Sequence, residues 1–298
     1  MRSRWIAGGC IVAAGLLVAV FLTRQTGVGT DVGATANEVA REASESSQVA
    51  MRPAVPGGSF DAQRVQLEAA AANGDPHAAF RLGQAIAHCL DYNPVASGRA
   101  AQMMAELIAQ AGTSIRIGGR PLGDERSIDA VLFAQQEARR VCADTDSLRA
   151  SPPTLDAYHY IAQAAQAGHP RAAALYPDVA FLEFRSPTEL IDNAEEVDRR
   201  RERARAYLLA AVRAGEPEAL LAASRAYAAD GWLAPDPERA LAYWIAYRAS
   251  ADFMRVPESL ASDRTAELEE MLTASQRAQA ATRAARLMDV SRERTDAN

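Results

Sequence analysis

The sequence contains no lysine, and all 32 of its basic residues are arginine. It also has no basic excess, because its formal net charge is −6. A nucleic-acid-binding protein needs a basic face that displaces counterions from the phosphates, so this charge argues against nucleic acid as the partner. Strand-forming residues are few, with aromatics at 6%, whereas alanine is abundant. Since alanine has the highest helix propensity and strands favour β-branched and aromatic side chains, we expect an all-α fold.

Charge is also absent from residues 5–22, WIAGGCIVAAGLLVAVFL, which have arginines on both sides. As a helix this run would be about 27 Å long, enough for a thin hydrocarbon core. The leading arginines favour a cytoplasmic start. We therefore expect residues 1–24 to form a single transmembrane anchor in the inner membrane, with the C-terminal domain in the periplasm. The alternative is a signal peptide cleaved near Ala34-Thr35-Ala36, which would release the chain into the periplasm.

Large apolar side chains are nearly absent from residues 25–58. Such a segment cannot bury enough surface to fold, so we expect a disordered linker. The patterned part of the chain follows and predicts a helical domain over 59–292, with a short disordered tail over 293–298.

Cysteine is rare, with only Cys10, Cys89 and Cys142 in the chain. Cys10 lies in the apolar run. In an oxidising compartment the other two cysteines can form a disulfide, and their loop would then stabilise the fold by about 4 kcal/mol on the chain-entropy model. The alternative is a pair of unlinked core thiols.

One turn pattern occurs three times, each time with proline two positions after glycine and alanine four positions after it. The turns lie at Gly74 and Pro76, Gly168 and Pro170, and Gly215 and Pro217. Glycine tolerates the left-handed conformation that ends a helix, and proline suits the first turn of the next helix. Each copy therefore predicts a helix hairpin that must stack on a neighbour to bury its apolar side. Asp75 is a suitable cap for its helix, whereas His169 and Glu216 are expected to be poorer caps.

The third copy resembles the Sel1-like repeat family of tetratricopeptide-type solenoids. Its residues are AAVRAGEPEALLAASRAY from Ala210 and DGWLAPDPERALAYW from Asp230. The resemblance implies an α-solenoid of stacked helix hairpins. Because the turn glycines lie 94 and 47 residues apart, the array also needs inserted helices.

The same resemblance implies a function in binding another protein or a peptide. It implies no catalytic, cofactor-binding or metal-binding residues. The alternative that the resemblance leaves open is a helical envelope protein that binds or acts on peptidoglycan.

The remaining segments also have helical patterns. Two amphipathic stretches, 96–111 and 127–144, follow the first copy, and a Gly-Pro-rich segment separates them. Single long helices are expected over 187–214 and over 257–292, and no strand pair is expected in the domain. In the second copy Pro177 predicts a short second helix.

Residue types that carry chemistry do not form a recognisable motif. The histidines His77, His88, His159 and His169 occur at no metal-ligand spacing. Pro257-Glu258-Ser259 resembles the glutamate–serine pair of lytic transglycosylases, but the downstream segment of those enzymes is missing. We therefore expect no catalysis.

A dense arginine run spans 199–205, and Glu195 and Glu196 precede it by one helical turn. This spacing predicts a solvated helix face whose charges pair with one another, and the alternative is a contact with an anionic polymer. Six aromatic residues are either partner-binding anchors or core residues at helical spacing, and these are Tyr158, Tyr207, Tyr227, Tyr243, Trp244 and Tyr247.

Overall fold

A computed structural model describes residues 59–94, 97–111, 115–117, 120–184 and 186–295. The predicted membrane anchor and linker lie outside these residues, as does the end of the predicted tail, 296–298. Within the described residues, no helix is both long enough and apolar enough to cross a membrane.

The described chain is helical, as predicted. Its helices, numbered here in chain order, are α1 Phe60–Ala72, α2 Pro76–Cys89, α3 Ser97–Ala111, α4 Glu125–Val141, α5 Asp146–Ala150, α6 Ala157–Gln166, α7 Pro170–Val179, α8 Pro187–Asp192, α9 Ala194–Arg213, α10 Pro217–Ala226, α11 Pro237–Arg248, α12 Glu258–Glu270 and α13 Ala274–Thr295. A 3₁₀ turn, Ala251–Arg255, follows α11.

The expectation that no strands pair is wrong at one place. The two-residue strands β1, Arg116–Ile117, and β2, Arg120–Pro121, form an antiparallel ladder in the Gly-Pro-rich segment between α3 and α4. The amide of Leu122 extends the ladder by donating to the carbonyl of Ile115 at 2.8 Å. The ladder is a local hairpin between helices and leaves the fold class unchanged.

The chain divides into two compact units, and one of them contains the described residues between 88 and 152. Leu122 and Leu148 are among its buried side chains. The predicted disulfide joins Cys89, the last residue of α2, to Cys142, which follows α4, and their Cα atoms are 5.3 Å apart. Both cysteines are buried. The covalent link therefore lies inside this unit.

The other unit contains residues 59–87 and the chain from 153 onward. Its helices pack as pairs: α6 against α7, α7 against α9 and α10, α9 against α10, α10 against α11, and α11 against α13. The three predicted hairpins are α1–α2, α6–α7 and α9–α10. The first is joined to the second by a hydrogen bond, because the side-chain amide of Gln163 donates to the carbonyl of Ala71 at 2.7 Å. Between the second and third hairpins, the second helix of one, α7, packs against the first helix of the next, α9.

The predicted long helix over 187–214 is interrupted at Asn193, which separates α8 from α9. The backbone of Asn193 leaves the helical region, with φ −111° and ψ 27°, and its side-chain amide donates to the carbonyl of Glu189 at 2.8 Å. Asparagine satisfies a helix-end carbonyl in this way, which favours a break over a continuous helix.

The predicted helix over 257–292 is also two helices, α12 and α13. Thr273 and Gln276 form a capping box at the start of α13. The backbone N–H of Gln276 donates to Thr273 Oγ1 at 3.3 Å, and the backbone N–H of Thr273 donates to Gln276 Oε1 at 3.0 Å. The last helix then continues past Arg292 to Thr295, into the predicted tail.

The second helix of the second hairpin, α7, is shorter than α2 of the first, as predicted, but Pro177 does not end it. Pro177 lies inside α7, yet α7 has 10 residues, the same length as α10 in the third hairpin. Proline removes one backbone hydrogen bond there. Burial of Tyr176, Val179 and Ala180 around it favours continuation of the helix.

Candidate functional site

The three predicted turns share one geometry. Gly74, Gly168 and Gly215 have φ of 88°, 84° and 75°, and they are the only glycines with positive φ among the described residues. The proline two positions later begins α2, α7 or α10 in each case. A side chain at any of these glycines would be strained, because L-residues rarely adopt this conformation.

The residues after the turn glycines cap the second helices unequally. Asp75 Oδ1 accepts the amides of His77 and Ala78 at 2.8 and 3.1 Å. His169 is a poorer cap than Asp75, as predicted, because its Nδ1 accepts one amide only, that of Ala172, at 3.3 Å. Glu216 makes no side-chain cap. The second hairpin therefore depends on a histidine where asparagine, aspartate or serine is usual.

The second and third hairpins are joined by ion pairs between equivalent positions. Arg171 and Glu218 both follow the turn glycine by three residues, and their side chains meet at 2.7 Å. Asp178 and Arg225 both follow it by ten residues, and their side chains are 3.4 Å apart. Since each pair joins the same position in two copies, the hairpins lie in register.

The first and second hairpins meet around His169. Its ring stacks on Phe80 with 4.6 Å between ring centroids, and His77 approaches edge-on at 4.8 Å. Burial, together with the neighbouring His77 and Arg171, lowers the pKa of His169 to about 4 against the opposing effect of Asp75. The imidazole is neutral at physiological pH, which agrees with Nδ1 acting as an acceptor.

A close helix contact supports the same junction. A Cβ at Gly83, in α2, would lie 2.7 Å from Ile161 Cγ1 in α6. That distance is far below van der Waals contact, so a side chain at this position would force Ile161 or its helix to shift.

The prediction of a solvated helix face for the arginine run is wrong at Arg200, which is buried. Arg199 and Arg200 pair with Glu196 on their own helix, as predicted, and Arg201 pairs with Asp198 on the same helix. Arg200, however, is only 6% exposed. Its guanidinium carbon lies 3.7 Å from the centroid of the Tyr158 ring. The sequence pattern missed this inward orientation.

The guanidinium of Arg200 also holds the end of α7. Its Nη1 donates to the carbonyl of Ala180 at 2.8 Å, its Nη2 meets Glu183 at 2.7 Å, and its Nε meets Glu196 at 2.7 Å. A cation at a helix C-terminus is favoured by the helix dipole. The hydrogen bond from Arg200 holds the pKa of Glu196 below its ordinary value.

The six aromatic residues that could be anchors or core divide evenly. Tyr227, Trp244 and Tyr247 are buried. Three others are partly exposed, one on each of α6, α9 and α11, and we call them the exposed tyrosines: Tyr158, Tyr207 and Tyr243.

Each exposed tyrosine packs on a second aromatic ring. Tyr158 and Tyr207 both contact Tyr176, at 5.9 and 5.0 Å between centroids, and Tyr243 stacks on Tyr227 at 6.0 Å. Burial raises the pKa of Tyr207 and of Tyr243. These two hydroxyls therefore stay protonated at neutral pH and can donate hydrogen bonds. Rigid aromatic rings with a polar tip are the side chains most enriched at protein interfaces.

Side chains with metal-binding or catalytic chemistry are dispersed. Among the described residues, no group of three or more histidine, cysteine, aspartate or glutamate side chains could hold a metal ion. Glu258, of the glutamate–serine pair, is 72% exposed and lies 3.4 Å from Arg248. Arg248 lines a shallow, open depression with Ile245, Ala249 and Met288. Glu258 therefore lacks the enclosed cleft that a catalytic acid of this type needs.

No protein-family model matches the chain, and comparison with curated proteins and with solved structures finds no match.

Proposed function

We propose that this chain is an envelope-anchored helical-repeat protein of the Sel1-like type that binds a protein or peptide partner and has no catalytic activity of its own. Its hairpins would stack as an α-solenoid. The observation that carries the proposal is the in-register pairing of equivalent positions in successive hairpins, Arg171 with Glu218 and Asp178 with Arg225. Contacts limited to successive repeats are the defining property of solenoids, which bind partners along an extended surface.

The exposed tyrosines are the proposed contact residues. They lie on α6, α9 and α11, so a partner that touches all three would span several hairpins. Each is supported from below by another aromatic ring. Such a ring loses little conformational entropy when a partner packs on it, because it is already held in place.

The location follows from the sequence. An apolar run over 5–22 would hold the chain in the inner membrane, and the linker over 25–58 would let the helical domain reach a partner in the periplasm. The Cys89–Cys142 disulfide supports an oxidising compartment.

Photo-crosslinking in intact cells tests this function. A photoreactive amino acid at Tyr207 or Tyr243 in the full-length chain should give a discrete adduct with one envelope protein. The same amino acid at Trp232, an exposed aromatic outside the exposed tyrosines, is the matched control and should not give it.

Adducts with peptidoglycan fragments in place of a protein, or altered muropeptides on incubation with the purified chain, would contradict the proposal and support the peptidoglycan alternative. Adducts of equal yield at Trp232 would show that the exposed tyrosines are not the contact surface.

A further inference from the structure

His169 lies where the first hairpin packs on the second. It is the residue before α7, and its ring fills the space against Phe80 and His77 of α2. The side chain is 9% exposed. A buried titratable group at a helix–helix junction couples its protonation to the packing of that junction.

The neutral imidazole of His169 caps α7. Nδ1 accepts the amide of Ala172 at 3.3 Å and so caps α7. When the imidazole takes up a proton, both ring nitrogens become donors. The cap is then lost, and the amide of Ala172 faces an N–H group in place of a lone pair. Protonation is therefore incompatible with the observed arrangement.

The charged groups around His169 oppose protonation on balance. Arg171 on its own helix and His77 on α2 disfavour a second positive charge, whereas Asp75 favours it. The Asp75 carboxylate is already engaged with the amides of His77 and Ala78. From the third hairpin, Glu216 and Glu218 act on Arg171, as does Asp252. These acids interact with the arginine that already carries the positive charge.

The ring of Phe80 can stabilise a protonated His169 only weakly. A protonated imidazole on its ring would gain a cation–π interaction. The guanidinium carbon of Arg171 already lies 5.2 Å from the centroid of that ring. Protonated His169 would be a second cation on one aromatic ring.

We propose that His169 makes the packing of the first hairpin, α1–α2, on the second, α6–α7, sensitive to pH: protonation in a mildly acidic medium removes the cap of α7 and loosens the first hairpin. This inference does not depend on the partner that the chain binds. It gives the domain a response to acid that is confined to one junction.

The direction of the pH effect on stability follows from the pKa of His169. This pKa is about 4 in the folded chain and about 6.5 in the unfolded chain. The stabilising contribution is complete above pH 6.5. It declines as the pH falls from 6.5 towards 4, because the unfolded chain takes up the proton first. Below pH 4 it changes no further.

Hydrogen exchange of the full-length chain at pH 7.5 and pH 5.0 tests the proposal. His169→Asn keeps a good capping residue and removes the titrating group. His159→Asn changes a histidine whose side chain is exposed and bonded to Asp156, and serves as the control. Variants are compared with wild type at the same pH, so that intrinsic exchange rates cancel.

At pH 5.0 we expect α1 and α2 to exchange about thirty-fold faster in wild type and in the His159→Asn variant than in the His169→Asn variant. At pH 7.5 the exchange rates of α1 and α2 should be the same in the three proteins. The exchange rates of α11 and α13 should be the same in the three proteins at either pH. Equal exchange of α1 and α2 in wild type and His169→Asn at pH 5.0 would overturn the proposal.

If His169→Asn does not fold, NMR titration of the wild-type histidines gives an independent answer. A His169 resonance that titrates well below the ordinary histidine range, together with loss of α1–α2 protection as the pH falls from 6.5 towards 4, supports the proposal. Titration of His169 near pH 6.5 contradicts it.

Discussion

Arg171 and Glu218 occupy the same position in two successive hairpins, and their side chains form an ion pair at 2.7 Å. Asp178 and Arg225, further along the same two helices, repeat this relationship at 3.4 Å. Two such pairs fix both the spacing and the direction of α7 relative to α10. Hairpins that shifted by one helical turn would lose both pairs.

Arg200 is expected to be the most important charged residue for stability. Replacing it by methionine keeps the apolar stem but leaves Glu183 and the carbonyl of Ala180 without their cation, and leaves Glu196 with Arg199 alone. We expect the free energy of unfolding to fall by about 2–4 kcal/mol.

Urea denaturation at pH 7 measures this effect. Arg201→Met is the matched control, because Arg201 is exposed and its ion pair is with Asp198 on the same helix. The control should change stability by less than about 0.5 kcal/mol. Equal effects of the two substitutions would mean that Arg200 does not hold the end of α7.

Gly231 should tolerate no side chain. A Cβ there would lie 2.2 Å from the carbonyl oxygen of Ala226 and 2.5 Å from that of Arg225. These are backbone atoms at the end of α10, so the clash cannot be relieved by a side-chain rotation. Gly231→Ala is expected to cost about 2 kcal/mol or more and to lower the melting temperature. Asp230→Ala, at the exposed neighbouring position, should leave the melting temperature nearly unchanged, and a neutral Gly231→Ala would refute the contact.

The disulfide should account for a measurable part of the stability. Its reduction is expected to lower the free energy of unfolding by about 2–5 kcal/mol, because the Cys89–Cys142 link restricts the unfolded chain. Calorimetry with and without reductant gives the change in melting temperature. Under denaturing, non-reducing conditions, thiol titration of the full chain should detect Cys10 alone. Detection of three thiols would show that the link does not form.

The turns could be predicted from the sequence because their cause is local. Glycine at positive φ and proline at the first helical position determine the conformation within three residues. The Cys89–Cys142 link was also predictable, because no other cysteine follows the apolar run.

The features that sequence reasoning missed have two different causes. The capping box of Thr273 and Gln276 was visible as threonine followed three residues later by glutamine, and it should have divided the last helix in two. Arg200 gave no such signal. Its partners at Ala180 and Glu183 come from the end of another helix, so a helical charge pattern alone could not distinguish it from its solvated neighbours.

The most direct measurement of the proposed stacking is short-range thiol crosslinking between equivalent positions. In a full-length chain carrying Cys10→Ser, cysteines introduced together as Arg171→Cys and Glu218→Cys should be joined by a short bismaleimide, and mass spectrometry of the peptides should identify the link. The control pair, Arg171→Cys with Arg225→Cys, combines non-equivalent positions and should remain unlinked. A link at 171–218 without a link at 171–225 is the predicted result, whereas a link at 171–225 or none at 171–218 would contradict in-register stacking of the hairpins.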